Sequence, residues 1–562
     1  MTGDCHGLRP RNDRVFSRFV IQNNREMPKF YITTSIPYVN APPHIGHALE
    51  FVGADAIARW RRIQGDDVFF LTGTDEHGAK IARAAEAAGR DAQTFVDEQS
   101  QRFRDLITQL SIMPDDMIRT SDKERHWPGA VEMWKRMAER GDIYKGMYKG
   151  LYCVGHEAFV TEKDLKNGIC EDHGKAPEYI EEENYFFKLS EYAGEVKRHI
   201  EEGYLEIVPR TRANEVLAFL REGVEDISFS RPAKDIPWGI PVPGDLSSTM
   251  YVWCDALSNY VSALGFGTSS DERMRKYWPC DIHLIGKDIA RFHAVIWPAM
   301  LLSAGLPLPK QIFVHGFIHA GGKKMSKTLG NVIDPFSLIE TYGAEAVRYV
   351  LLGHVPLFTD ADLTLDRIHE LYTAHLANGV GNLISRVSAM SVQYFEGRIM
   401  RPDPALLASV PFKTDMDVLD ARDRDLKVGS ITAEWFIREN TIPRYLAAWE
   451  EYRIDSALQE VMQLFRILDR YIQDYEPFKL IKTDREQVQA ILWSLISSIH
   501  HASRLLAPFL PATASVIAEV LGVAPDETDE ALRRRTVYTV TKKEPLFPRV
   551  EKKKDDNNLS QK

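Results

Sequence analysis

The period of the hydrophobic pattern changes along this chain, and where it changes limits the fold more than any single motif. From Lys29 to about Gly141, short apolar runs alternate with stretches of helical period: strands over 29–36 and 67–71, helices over 46–64, near 79–89 and near 92–110. Such alternation implies parallel strands joined by helical crossovers. The pattern breaks at 143–152, which is glycine-punctuated and aromatic-rich in the manner of antiparallel hairpins, and this second style runs to about Pro243. Strands are then expected at 251–253, 282–285 and 312–314, with a helix near 290–304. Beyond Asp334-Pro335 helical period covers about 336–353, 365–396, 432–452, 455–474, 485–507 and 511–521. The expected fold class is α/β: a doubly wound, Rossmann-type parallel sheet interrupted by an inserted domain and followed by an α-helical bundle.

A chain of 562 residues is too long for one core and suggests three or four domains. No run approaches the length of a membrane span, so no membrane partner is expected. The 5 cysteines form no disulfide framework and suit a reducing, cytoplasmic compartment. A net charge of -10 argues against an indiscriminate nucleic-acid coat, but a local basic surface could still hold RNA. Residues 1–27 carry five arginines and no long apolar segment, which excludes a secretory signal. A disordered extension, a start codon set too far upstream of Met27, or a transit peptide would each fit. The tail, 546–562, reads as solvated and disordered.

Two blocks carry chemistry. Pro43-His44-Ile45-Gly46-His47 follows the first strand and opens a long helix, so backbone N–H groups and the helix dipole favour phosphate there. Lys324-Met325-Ser326-Lys327-Thr328 follows the glycine pair Gly321-Gly322, which puts two lysines on a loop able to close on a developing phosphate charge. Either block alone reads as a capped turn or a surface loop; together they do not. Thr72-Gly73-Thr74-Asp75-Glu76-His77-Gly78 ends the second strand, where open α/β sheets bind ligands. Tyr251-Val252-Trp253-Cys254-Asp255-Ala256-Leu257-Ser258-Asn259-Tyr260, Gly286-Lys287-Asp288-Ile289-Ala290-Arg291-Phe292-His293, His315-Gly316-Phe317 and Asn382-Leu383-Ile384-Ser385-Arg386 follow in order. Read singly, Trp253 and Tyr260 are core aromatics, and Asp75 is a helix N-cap before Lys80.

In this order the segments resemble class I aminoacyl-tRNA synthetases, and within them the methionyl-tRNA synthetase family of the shorter bacterial and organellar type, from about Phe30 to about Phe509. The resemblance implies a methionine–tRNA ligase that uses ATP and Mg²⁺, forms methionyl-adenylate and pyrophosphate, and passes the methionyl group to the terminal ribose 2′-OH of tRNA(Met), initiator tRNA included. It assigns His44, Gly46 and His47 to the ATP phosphates, Gly286 and Asp288 to the ribose, and Lys324 and Lys327 to the pyrophosphate. His44, His47, Lys324 and Lys327 are the residues expected to carry catalysis. Ile36, Tyr38, Asp75, Trp253, Ala256, Leu257, Tyr260 and His293 form the methionine site, Asp75 taking the ammonium and the aromatics walling the thioether. Leu257 stands where the family often has proline, and Thr328 replaces the usual final serine of the lysine motif.

The implied domains are a catalytic first half at 28–141, a connective insertion at 142–245, a catalytic second half at 246–322, a lysine loop and stem-contact region at 323–370, and an anticodon-binding domain at 371–545. In the insertion, Cys153-x2-His156 and Cys170-x2-His173 have the spacing of a tetrahedral Zn²⁺ site. The alternative is a decayed knuckle with two buried cysteines and two surface histidines. His375, Asn378, Asn382 and Arg386 share a helical stripe, ordinarily a solvated face. The resemblance makes Asn382 and Arg386 readers of the CAU anticodon, with Phe478 after Pro477 in place of a stacking tryptophan. A monomer is expected. The rivals are a synthetase for another amino acid, a noncatalytic tRNA-binding paralogue and a small nucleotidyltransferase.

Overall fold

The structure, a computed structural model, describes residues 27–153, 158–160, 165–170, 174–325, 331–412, 431–525, 527 and 529–551. Its centre is a 6-stranded sheet built from β1 (Lys29–Thr34), β2 (Asp67–Thr74), β3 (Asp116–Arg119), β4 (Glu206–Val208), β5 (Ile282–Gly286) and β6 (Gln311–His315). The order is β3-β2-β1-β5-β6-β4, and every pairing is parallel. The central strands are buried on both faces, which is why they read as continuous apolar runs rather than alternating ones. Ile32 of β1 lies beside Phe70 of β2 and Ile282 of β5, so β1 and β5 flank the point where the strand order reverses. Crevices at such reversals bind ligands at the carboxyl ends of the strands.

Helix α1 (Ile45–Ile63) crosses one face of the sheet, burying Leu49, Phe51, Val52 and Ile57. The interruption is a long antiparallel hairpin, Ile143–Cys153 with Glu178–Phe187, extended by Ala158–Val160. A smaller sheet of Ser230–Pro232, Pro241–Val242 and Asp245–Met250 follows. β4 lies within the same stretch of sequence yet pairs with β6 at the edge of the nucleotide-binding sheet.

One expectation is corrected. Residues 251–253 are not a strand: the chain leaves the small sheet at Met250, Tyr251 caps a helix, and Val252–Leu257 is helical. The aromatic and β-branched composition that reads as strand is overridden by context, since the Asp255 N–H returns to the Tyr251 carbonyl at 3.0 Å.

Beyond β6 the chain is largely helical. Ala344–His354 packs between α1 and the bundle. A long helical run starts at Leu365, loosens into a π-helical turn over Tyr372–Gly381, and continues as α2 (Asn382–Phe395). The bundle proper holds Ile442–Glu450, α3 (Ile454–Tyr475), α4 (Arg485–Leu506) and Pro511–Leu521. One apolar cluster runs unbroken from the α1 face of the sheet into this bundle; a second fills the other face. Among the described residues no helix is long and apolar enough to cross a membrane.

Candidate active site

The turn after β1 is shaped by two histidines that cap α1 reciprocally. His44 Nδ1 accepts from the Gly46 N–H at 3.1 Å, and His47 Nδ1 accepts from the His44 N–H at 3.1 Å. With both Nδ1 atoms used as acceptors, the ring proton of each sits on Nε2. The rings stack at 3.9 Å. Burial lowers the His47 pKa well below the ordinary imidazole value, and the neighbouring His44 and His315 push the same way, so His47 is a neutral donor. Glycine is required between them, since a Cβ on Gly46 would lie 2.9 Å from His44 Cε1. The result is a helix N-terminus bordered by two imidazole rings, whose backbone N–H groups and dipole suit phosphate oxygens.

The other strand ends bring the remaining groups to this crevice. After β5, Gly286 passes so close to Asp288 that a Cβ would meet its Oδ1 at 2.7 Å. After β6, His315 donates from Nδ1 to the Gly316 carbonyl at 2.8 Å and from Nε2 to Glu50 of α1 at 3.0 Å. Donating from both nitrogens makes it an imidazolium. Burial alone would lower its pKa, but the Glu50 carboxylate outweighs burial and raises it. Glu50 also accepts from the Ser35 N–H and hydroxyl, both at 2.6 Å, so one buried carboxylate ties together the ends of β1, α1 and β6.

The lysine motif lies partly outside the described residues: Ser326, Lys327 and Thr328 are not described. The segments on either side are tied down by backbone bonds. Lys323–Lys324 pairs with Ile318–Ala320 in a hairpin that turns at Gly321 and Gly322, both at positive φ. On the far side, the Ile333 carbonyl accepts from the Ile45 N–H at 3.3 Å, at the first turn of α1.

Beside the phosphate turn, the end of β2 presents Asp75, 6% exposed, in a bridge with Tyr38. The helix that follows starts at Ala79 with Gly78 as its cap and no side-chain cap bond, so Asp75 is not spent on capping. Its neighbour Glu76 is fully buried and pins the turn by two bonds from Arg119 at 2.7 and 2.8 Å. Ile36, Tyr38 and Trp253 pack on the cluster that contains Leu257 and Tyr260, and Ala256 is buried beside them. Trp253 stacks on Phe292 at 3.7 Å. His293 Nδ1 donates to the Ile289 carbonyl at 3.0 Å, which leaves Nε2 to accept from the Tyr260 hydroxyl at 2.7 Å. Burial lowers the His293 pKa to about 4, fixing this neutral tautomer, and raises that of Tyr260. Ile36, Tyr38, Trp253, Leu257 and Tyr260 thus share one packed cluster with Asp75 bridged to Tyr38, while His44, Gly46, His47, Gly286 and Asp288 follow the adjacent strands β1 and β5. Sequence reasoning missed Glu50 as a partner of His315, because these residues are 265 apart and neither stands in a recognisable spacing.

Two outlying sites complete the picture. Cys153 and Cys170 are buried, and the Cys170 carbonyl accepts from the Gly174 N–H at 2.8 Å. His156 and His173 lie outside the described residues, and among the described residues no cluster could hold a metal ion. In the bundle, Asn382 is exposed and Arg386 is paired with Asp469 of α3 at 2.7 Å. Phe478, 43% exposed, sits just past the end of α3.

A helix turn capped by two histidines at the reversal of a parallel sheet, with a lysine-bearing hairpin and a helical bundle further along the chain, places it among the class I aminoacyl-tRNA synthetases. Residues 30–167 and 160–388 match the family of tRNA synthetases class I (M), and 434–558 match the anticodon binding domain of methionyl tRNA ligase. The chain is 40% identical to methionine–tRNA ligase of Rhizobium meliloti, over 93% of this chain and 99% of that one. It is 39% identical to that of Caldanaerobacter subterraneus, over 95% and 81%. Mycobacterium tuberculosis methionyl-tRNA synthetase in complex with methionyl-adenylate superposes with a TM-score of 0.83 at 36% identity, over 93% of this chain and 100% of that one. The chain belongs to the methionyl-tRNA synthetase family.

Proposed function

We infer that this chain is a methionine–tRNA ligase that activates methionine with ATP and charges tRNA(Met), initiator tRNA included. What supports the reading is that the His44–His47 turn, the Gly286–Asp288 turn and Asp75, bridged to Tyr38, follow three adjacent strands beside the reversal of the sheet. Methionine enters with its ammonium on Asp75 and its thioether against Trp253, Tyr260 and Leu257. A methionine carboxylate oxygen attacks the α-phosphorus of ATP, the bond to the β-phosphate oxygen breaks, and pyrophosphate leaves. His44 and His47 donate from Nε2 to the phosphates, while Asp288 accepts from the ribose. Lys324 and Lys327 meet the charge that grows on the leaving group. Mg²⁺, when bound to the phosphates, offsets their charge. The ribose hydroxyl of tRNA then attacks the acyl carbonyl and AMP departs.

Asn382, Arg386 and Phe478 read the anticodon, by edge bonding and by stacking. Cys153, His156, Cys170 and His173 offer a donor set suited to a structural Zn²⁺, and the burial of both cysteines fits that role. The enzyme acts as a cytoplasmic monomer, its units divided as the sequence implies.

The decisive experiment is ATP–pyrophosphate exchange with each of the twenty amino acids, with Lys327→Ala as control. Exchange with methionine alone, lost in the control, is the expected result. Exchange with another amino acid would sink the pocket, and no exchange from folded protein would favour a noncatalytic tRNA binder.

A further inference from the structure

A buried hydrogen-bonded chain lies behind the amino-acid pocket and takes no part in the chemistry described above. His77 Nδ1 bonds Asp255 Oδ2 at 2.6 Å, His126 Nε2 bonds Asp255 Oδ1 at 2.7 Å, and His126 Nδ1 meets the Ser262 hydroxyl at 2.8 Å. His77 is 2% exposed, Asp255 1%, His126 0% and Ser262 2%. A lone carboxylate at such depth would be costly; here each oxygen has an imidazole, and although burial works to raise the Asp255 pKa, the histidines bring it below the usual value.

The placement of these residues gives the chain its meaning. His77 stands two positions after Asp75, in the turn between β2 and the helix that begins at Ala79. Asp255 is on the 6-residue helix that carries Trp253, Ala256 and Leu257, and Ser262 ends the 4-residue helix that carries Tyr260. Helices this short do not hold themselves in place. His126 leads into the helix Trp127–Glu139, a longer element packed against the Tyr260 helix. The side-chain series therefore runs from the turn that presents Asp75, through the turn that presents Trp253, to a fixed helix and back to the segment that presents Tyr260. His77 acts through one nitrogen: Nε2 is buried with no hydrogen-bond partner among the described residues, and the rings of Trp127 and Trp238 lie 6.2 and 6.5 Å away. The ring therefore serves as a strut through Nδ1 alone.

We propose that His77, Asp255, His126 and Ser262 are positioning residues that hold the two halves of the amino-acid pocket in register, setting methionine affinity without touching substrate. This rests on the pocket reading given under Proposed function. The test is steady-state ATP–pyrophosphate exchange with methionine and ATP varied separately. His77→Leu keeps bulk but removes the donor; its KM for methionine is expected to rise about tenfold or more, with KM for ATP within about twofold. His77→Asn returns an N–H near the position of Nδ1 and should recover most of the loss. A merely structural residue would lower the active fraction, and with it the apparent kcat, while leaving both KM values alone. That result, or parallel rises in both KM values, overturns the proposal. Should His77→Leu not yield folded protein, Ser262→Ala reads the same series from its other end, with a rise of about threefold in KM for methionine; an unchanged KM there overturns it. Trp253→Ala separates the two readings: if it leaves KM for methionine unchanged, the pocket reading fails and the proposal falls with it, whereas a rise there with none in His77→Leu overturns the proposal alone.

Discussion

Arg348 joins the catalytic sheet to the helical bundle, and its removal tests how the two are held. The side chain is fully buried. Nη2 lies 2.7 Å from Asp55 Oδ2 of α1, while Nε donates to the Phe509 carbonyl at 2.7 Å and Nη1 to the Leu110 carbonyl at 3.2 Å. Asp55 keeps two further partners, the Arg59 guanidinium at 2.8 Å and the Met113 N–H at 3.0 Å. Breaking a buried ion pair on one side costs about 3–5 kcal/mol, because the other charge is left behind. Arg59 partly compensates here, so the low end, about 3 kcal/mol, applies to Asp55. Stranding the Phe509 and Leu110 carbonyls adds about 1 kcal/mol each, giving about 5 kcal/mol for Arg348→Met.

The same argument predicts that Arg348→Met with Asp55→Asn is more stable than Arg348→Met alone, by about 2 kcal/mol, because the stranded charge is gone. Urea unfolding followed by tryptophan fluorescence is the assay. Trp60 of α1 and Trp449 of the bundle stack at 5.1 Å across this junction and report its opening. A loss below about 1 kcal/mol in the single variant, or no recovery in the double, would refute the account of the pair as an uncompensated-charge problem.

Gly46→Ala should raise KM for ATP about tenfold or more in pyrophosphate exchange while leaving the melting temperature near wild type, because the Cβ displaces the His44 ring yet improves helix propensity. Ring-nitrogen NMR should find His315 titrating above the ordinary imidazole value and His293 near 4, with Glu50→Gln dropping His315. By linkage, the His315–Glu50 pair contributes stability that is fully present below the unfolded histidine pKa, about 6.5, and is lost as pH rises through the higher folded value. A melt showing the opposite slope above neutrality in wild type relative to Glu50→Gln would contradict it. Metal analysis should give one zinc per chain, falling in Cys153→Ser; a metal-free, fully active wild type would favour the decayed knuckle. Phe478→Ala should raise KM for tRNA in aminoacylation and leave pyrophosphate exchange unchanged, and a change in exchange would remove Phe478 from the anticodon role.

How much of this was legible in the residues depends on how local each cause is. The central strands could be read because parallel strands buried on both faces must be apolar throughout, and His44-Ile45-Gly46-His47 could be read because capping and phosphate binding need nothing beyond one turn. Residues 251–253 misled because their composition suits a strand while the neighbouring chain imposes a helix. β4 is 3 residues long between two helices, and only its partner β6 makes it a strand. The π-helical turn at Tyr372–Gly381 leaves no periodic trace over so short a span. Least legible were the bonds between distant residues: His77 with Asp255, 178 residues apart, and His315 with Glu50. The groups that would meet substrate sit in short recognisable blocks, whereas the groups that hold those blocks in register are scattered. β2 and β6 each bring one histidine, His77 and His315, to the carboxyl end of the sheet, and the buried carboxylates that meet them, Asp255 and Glu50, come from helices elsewhere in the chain. If this network sets the pocket, then substitutions at Glu50, His77 and His126 should alter substrate affinities more sharply than substitutions of equal volume in the apolar clusters on either face of the sheet. Steady-state exchange kinetics on matched pairs such as His126→Leu and Phe103→Leu would decide it, since equal losses in KM for methionine would reduce the network to ordinary core packing.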